Sequence, residues 1–124
     1  MQPTSPLRKT NHIDEIFQVR EKFNSDSAVS ISLARKHPDL FFQINSDNII
    51  FPFSKDFKGL PRQKYSELYT VNGALYLSSK KSILLNNSLF TSDTVGYIMP
   101  EKYSIDIDTQ LDWEIAEFLM KRSL

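Results

Sequence analysis

The segment from Ser27 to Phe53, "SAVSISLARKHPDLFFQINSDNIIFPF", sets the fold class. Its first seven residues, to Leu33, alternate around Val29 and Ile31 and predict a strand. "LFFQI", Leu40 to Ile44, and "NIIFPF", Asn48 to Phe53, then flank the short polar link "NSD", a pattern that predicts a β-hairpin. Upstream, Ile13, Ile16, Phe17 and Phe23 recur at helical spacing as far as about Asn24, with Asn11 as the expected cap. The opening "MQPTSPLRKT" reads as a loop, and Ser54 to Tyr65, with four lysines or arginines among glycine and proline, as an exposed one.

Downstream, "VNGALYL", Val71 to Leu77, has strand residue types, yet Asn72-Gly73 is equally a hairpin-turn signal, and the two readings balance. "KKSILLNN" suits a short helix, and "VGYIM", Val95 to Met99, a strand stopped by Pro100. A terminal helix is well signalled. Thr109 with Asp112 three residues later resembles a capping box, and Leu111, Ile115, Phe118 and Leu119 form an apolar stripe. Strands mixed with helices give an α/β layered fold.

Length and composition fix the broad class. The 124 residues suffice for one small domain. Charge is balanced at 15 basic and 15 acidic residues, so bulk electrostatics gives no reason to expect a nucleic-acid partner. The absence of cysteine removes disulfides, thiolate catalysis and cysteine-based zinc sites. No apolar run approaches the roughly 18 residues of a membrane span, and the N-terminus lacks signal-peptide character. A soluble, cytoplasmic protein with no membrane partner is the expectation.

In "YSIDIDTQLD", Asp106 and Asp108 share one face of an extended segment while Ile105 and Ile107 share the other. Two carboxylates side by side repel unless they are solvated or a cation lies between them, and Mg²⁺ favours oxygen ligands completed by phosphates. Spacing alone leaves a second reading open, in which both are acids favoured near a helix N-terminus by its dipole.

Three stretches carry a family resemblance: "QPTSPLR" with "HID" shortly after, "NGALY", and "SIDIDTQLD". In that order and approximate separation they resemble the acylneuraminate cytidylyltransferases, or CMP-sialic acid synthetases, across essentially the whole chain. Relatives that activate legionaminic, pseudaminic and 3-deoxy-octulosonic acids are similar enough to leave the sugar open. The resemblance implies an enzyme that joins CTP to the anomeric hydroxyl of an acidic sugar, releasing pyrophosphate. It implies a partial Rossmann-like nucleotidyltransferase sheet with a β-hairpin dimerisation arm at about residues 39–53, and hence a homodimer. It also implies Mg²⁺ held by Asp106 and Asp108 as the catalytic carboxylates.

Residue by residue, Gln2 would hydrogen-bond the acidic sugar and Arg62, in "LPRQK", would help hold it, a guanidinium being well shaped for a carboxylate. Asn72 and Tyr76 match positions beside the bound sugar, and Phe90 an aromatic of its pocket. For Tyr76 and Phe90 plain core packing is an equal reading. His37 is expected to be a loop residue.

Departures from the family pattern bear on substrate and activity. Leu89 stands where some relatives carry a second aromatic. After His37-Pro38 come Asp39 and Leu40, where some sialic acid enzymes place a lysine, while Lys36 precedes the pair. A different acidic sugar, or a rearranged contact, fits these changes. The glycine-, arginine- and lysine-rich loop that cradles the triphosphate has no counterpart, since Gly59, Gly73 and Gly96 are the only glycines and lie far apart. The expectation is therefore the C-terminal portion of a cytidylyltransferase, residues 1–124, lacking the nucleotide-binding portion and weakly active or inactive alone. The alternative is a non-catalytic sugar-binding or dimerisation module that works with a separate nucleotide-binding chain.

Overall fold

A computed structural model describes residues 1–55, 57–59 and 64–123. The chain forms two compact units, one of Met1–Ser32 with Thr70–Leu124 and one of Leu33–Tyr69.

In the first unit, helix α1 (Thr10–Lys22) leads into strand β1 (Ser27–Leu33), then β4 (Tyr69–Ser78), helix α2 (Lys80–Asn86), β5 (Val95–Ile98) and helix α3 (Gln110–Ser123); β2 and β3 lie in the second unit. The sheet order is β4-β1-β5. β1 and β5 run parallel, with Ala28 opposite Val95 and Ile31 opposite Ile98. β4 runs the other way: Ser79 N–H donates to Asp26 O, and Leu75 lies opposite Ser30. The result is a mixed α/β sheet with β1 at its centre.

Central placement explains the serines of β1. Ser27 and Ser30 are fully buried, and a buried hydroxyl needs a partner. Ser27 Oγ meets Thr91 Oγ1 at 2.9 Å and Thr94 Oγ1 at 2.6 Å, which ties the starts of the two parallel strands together. Ser30 Oγ donates to Asn72 Oδ1 at 2.6 Å.

The core has two clusters. Ile16, Ala28, Ala74, Leu75, Tyr97 and Met99 form the first, between α1 and the sheet; Leu7, Ile105 and Ala116 form the second, joined by Ile107, Ile115 and Leu119. Two sequence expectations need correction here. Phe17 and Phe23 are 45% and 61% exposed, so the buried stripe of α1 runs through His12, Ile13, Ile16 and Val19. On α3, Leu111 and Phe118 point outward, while Ile115, Ala116 and Leu119 meet the core. Asn11 does not cap α1 either. The helix begins at Thr10, His12 Nδ1 accepts the Lys9 N–H at 3.1 Å, and the Asn11 amide is taken by Glu15 Oε1 one turn on.

In the second unit, β2 (Phe42–Ile44) and β3 (Ile50–Pro52) form the expected antiparallel hairpin. Asn45 builds its turn: Oδ1 accepts from Asp47 N–H at 3.0 Å and Ile49 N–H at 2.9 Å, and Asn48 closes it at φ 62°. Leu40 belongs to a short 3₁₀ turn, Pro38–Leu40, so β2 begins at Phe42. No helix among the described residues is long and apolar enough to cross a membrane.

Candidate functional site

The N-terminal loop, β4 and the segment leading to α3 meet at Gly73. Here the balanced reading of Asn72-Gly73 resolves: β4 continues through it, and Gly73 absorbs an irregularity at φ +75°, a conformation costly for residues with a β carbon. Asn72 repairs the interruption. Its Oδ1 accepts the Ala74 N–H at 3.2 Å together with the Ser30 hydroxyl, and its Nδ2 donates to Ser104 Oγ at 2.9 Å. Asn72 is 5% exposed, so its amide is committed to the fold beneath the site.

Directly over Gly73 lie two of the sequence candidates. A β carbon at this position would collide with Gln2 Oε1 and stand 2.9 Å from Asp106 Oδ2. Only glycine allows both side chains to lie there. One backbone bond and one side chain bring their segments together. Ile107 N–H donates to Thr4 O at 2.9 Å, and Arg8 Nη1 donates to both Gln2 O and Ala74 O at 3.0 Å.

The alternation read from the sequence holds on the apolar side, where Ile105 and Ile107 both pack into the second core cluster. Asp106 is half-buried against Gly73. Its Oδ1 is inaccessible and has no hydrogen-bond partner among the described residues, an orphaned acceptor that a cation or a hydroxyl would satisfy. Asp108 is exposed. Asp112 Oδ2 accepts the Thr109 N–H at 2.8 Å and its hydroxyl at 2.7 Å, and Thr109 Oγ1 accepts the Asp112 N–H at 3.2 Å. This box starts α3 immediately after the acidic pair. Among the described residues no group of three or more His, Asp or Glu side chains could hold a metal.

Tyr76 and Phe90 form a second gathering. Their rings are 6.2 Å apart at 82°, edge to face, with Phe90 46% exposed. Tyr76 lies four positions beyond Asn72 along β4, roughly 13 Å at the rise of an extended chain. The structure thus brings Gln2, Asn72 and Asp106 together at Gly73, pairs Tyr76 with Phe90 further along β4, and leaves Asp108 exposed. Arg62 lies outside the described residues. In the second unit His37 stacks on Tyr65 at 4.4 Å and accepts the Asp39 N–H, a loop role as expected.

The histidine of "HID" is part of the core. His12 is 2% exposed and packs against Tyr103, with ring centroids 4.8 Å apart. Burial, reinforced by the Lys9 charge, lowers its pKa, although nearby Glu15 opposes this. The sequence reading passed over Arg8. It lies inside the quoted "QPTSPLR", but its partners are backbone carbonyls 6 and 66 residues away, and side-chain types carry no signal for such bonds.

No protein-family model matches the chain. Curated proteins do. The N-acylneuraminate cytidylyltransferase of Streptococcus agalactiae serotype V is 38% identical over 113 residues, 91% of this chain. Over nearly all of its length, then, the chain is similar to acylneuraminate cytidylyltransferases. The Escherichia coli N-acylneuraminate cytidylyltransferase is 30% identical over 94% of the chain, and the CMP-N,N'-diacetyllegionaminic acid synthase of Legionella pneumophila 32% over 98%. The chain spans 27% of the length of the streptococcal protein, 28% of the Escherichia coli protein and 52% of the Legionella protein. N-acylneuraminate cytidylyltransferases are nucleotidyltransferases, and the relatives include both sialic and legionaminic acid enzymes by name.

Proposed function

We propose that this chain forms the sugar- and metal-handling part of a cytidylyltransferase that activates an acidic nonulosonic sugar, of the sialic, legionaminic or pseudaminic type, with CTP. The observation that carries the proposal is the convergence of Gln2 and Asp106 on Gly73, with Asp108 two residues on. In the reaction the anomeric hydroxyl oxygen of the sugar bonds to the α-phosphorus of CTP. The bond from that phosphorus to the bridging oxygen breaks, pyrophosphate leaves, and the hydroxyl proton is lost to solvent. Gln2 would orient the sugar through its amide, and Asn72 would hold the backbone beneath it. Arg62 would pair with the sugar carboxylate, and Tyr76 and Phe90 would offer ring faces and edges to its apolar substituents.

Asp106 and Asp108 would hold Mg²⁺, which when bound offsets charge on the phosphates and the leaving pyrophosphate. The orphaned Asp106 Oδ1 supports this assignment. In the wider reading the sheet is part of a Rossmann-like nucleotidyltransferase sheet. The hairpin is a dimerisation arm, because its Phe41, Ile44, Ile49, Ile50, Phe51 and Phe53 are all 47% exposed or more. The proposed location of the reaction is the cytoplasm.

One observation favours the module reading. The three glycines are scattered, so the 124 residues hold no glycine-rich loop to cradle a triphosphate. Turnover by this polypeptide alone is therefore expected to be slight. Pyrophosphate release and sugar binding, measured side by side, separate the two. CTP-dependent release that Asp108→Ala reduces at least a hundredfold supports the enzyme; sugar binding without release supports the module. Release unaffected by Asp108→Ala contradicts the metal assignment.

A further inference from the structure

We infer that Arg8 is the positioning residue of the site: its guanidinium sets Gln2 over Gly73. The inference rests on the sugar-site reading above and deepens it. Arg8 Nη1 donates at 3.0 Å to the carbonyl of Gln2 and at 3.0 Å to the carbonyl of Ala74. Those two carbonyls bracket the contact in question. One belongs to the residue whose side chain lies on Gly73, and the other to the residue immediately after Gly73. A single charged nitrogen thus staples the N-terminal loop to β4 at the point where β4 is irregular.

Without the staple, little holds Gln2 in place. It is exposed, and the Ile107 N–H to Thr4 O bond ties its loop two residues later. The Thr4 bond fixes the loop against the Asp106 segment, and the Arg8 bonds fix it against the Gly73 segment. Together they make three parts of the chain converge. Arg8 has no carboxylate partner among the described residues, and both of these bonds serve the backbone. Charge-assisted bonds of this kind are about twice as strong as neutral ones. The role is one of placement, and Arg8 need not touch the substrate.

The test is a double-mutant cycle on the full chain, with N-acetylneuraminic acid as the titrated probe and two-dimensional amide NMR as a ligand-free readout. Arg8→Met removes both bonds; Arg8→Lys keeps a positive charge and a donor nitrogen on the same side chain. Arg8→Met and Gln2→Ala are each expected to weaken sugar binding about tenfold, with the double variant no worse than either single one. In Arg8→Met the Gln2 side-chain amide and Gly73 amide signals are expected to move, and in Arg8→Lys to return toward wild-type positions. Additive losses, or unmoved Gln2 and Gly73 signals in a folded Arg8→Met chain, would overturn the inference. If the wild-type chain binds no sugar, the sugar-site reading fails by itself, and the ligand-free signals still decide whether Arg8 positions Gln2.

Discussion

Gly73 is the residue on which the site turns, for both conformational and steric reasons. Its φ of +75° costs about 1–2 kcal/mol for a residue with a β carbon, and that carbon would also displace Gln2 and Asp106. Gly73→Ala is therefore expected to lower stability by at least that amount in urea denaturation and to abolish any Mg²⁺-induced stabilisation. A Gly73→Ala chain that keeps both would remove the present account of the site. His12 makes a separate prediction. Because its folded pKa lies below the ordinary 6.5, the unfolded chain binds more protons just below that pH. The stabilisation is complete above about pH 6.5 and is lost as pH falls toward the folded value. Melting temperature is expected to drop from pH 7 to pH 5, with a shallower drop in His12→Gln. The lowered carboxylates Glu15 and Asp93 act further down, starting from ordinary values of 4.5 and 3.8. An equal slope in both proteins would exclude His12 as the source.

At the scale of elements, the cap of α3 was fully legible in the sequence. Thr109 and Asp112 answer one another as the spacing predicts, and the box places Asp108 just ahead of the helix. Thr109→Ala is expected to cost about 1 kcal/mol, read as a fall in helical signal at a lower denaturant midpoint. No change would mean that packing of Ile115, Ala116 and Leu119 alone sets the helix start. The hairpin was equally legible, because Asn45 and Asn48 supply turn geometry that few other residues offer. The start of α1 was not. Asn11 is a strong cap by type, but Glu15 one turn along captures its amide while His12 serves Lys9. Periodicity also could not say which side of α1 or α3 faces the core. A helical stripe of Ile, Phe and Leu is wider than the face that the sheet covers, so Phe17, Leu111 and Phe118 were included wrongly. Among the candidate site residues, the motifs single out Asp106 and Gln2, which lie together over Gly73. The commitment of Asn72 to Ser30 and Ser104 depends on contacts 42 and 32 residues apart, which spacing cannot express.

For the whole molecule, one surface and one site carry the functional reading. The hairpin's apolar exposure, Ile44 at 64% and Ile50 at 58%, is large for a small chain in water. If the hairpin is a dimerisation arm, sedimentation is expected to give a dimer for the wild type, at least tenfold weakened in Ile44→Asp with Ile50→Asp. Unchanged association would place the interface elsewhere. The family relationship covers nearly all of this chain but only 27% to 52% of the three relatives compared, so binding is the property to examine before turnover. The most direct measurement is an amide NMR titration of the chain with N-acetylneuraminic acid in the presence of Mg²⁺. The account predicts saturable shifts centred on Gln2, Gly73 and Asp106 that Asp106→Asn reduces. Shifts that are absent at millimolar sugar, or that spare Gly73 and cluster elsewhere, would contradict it.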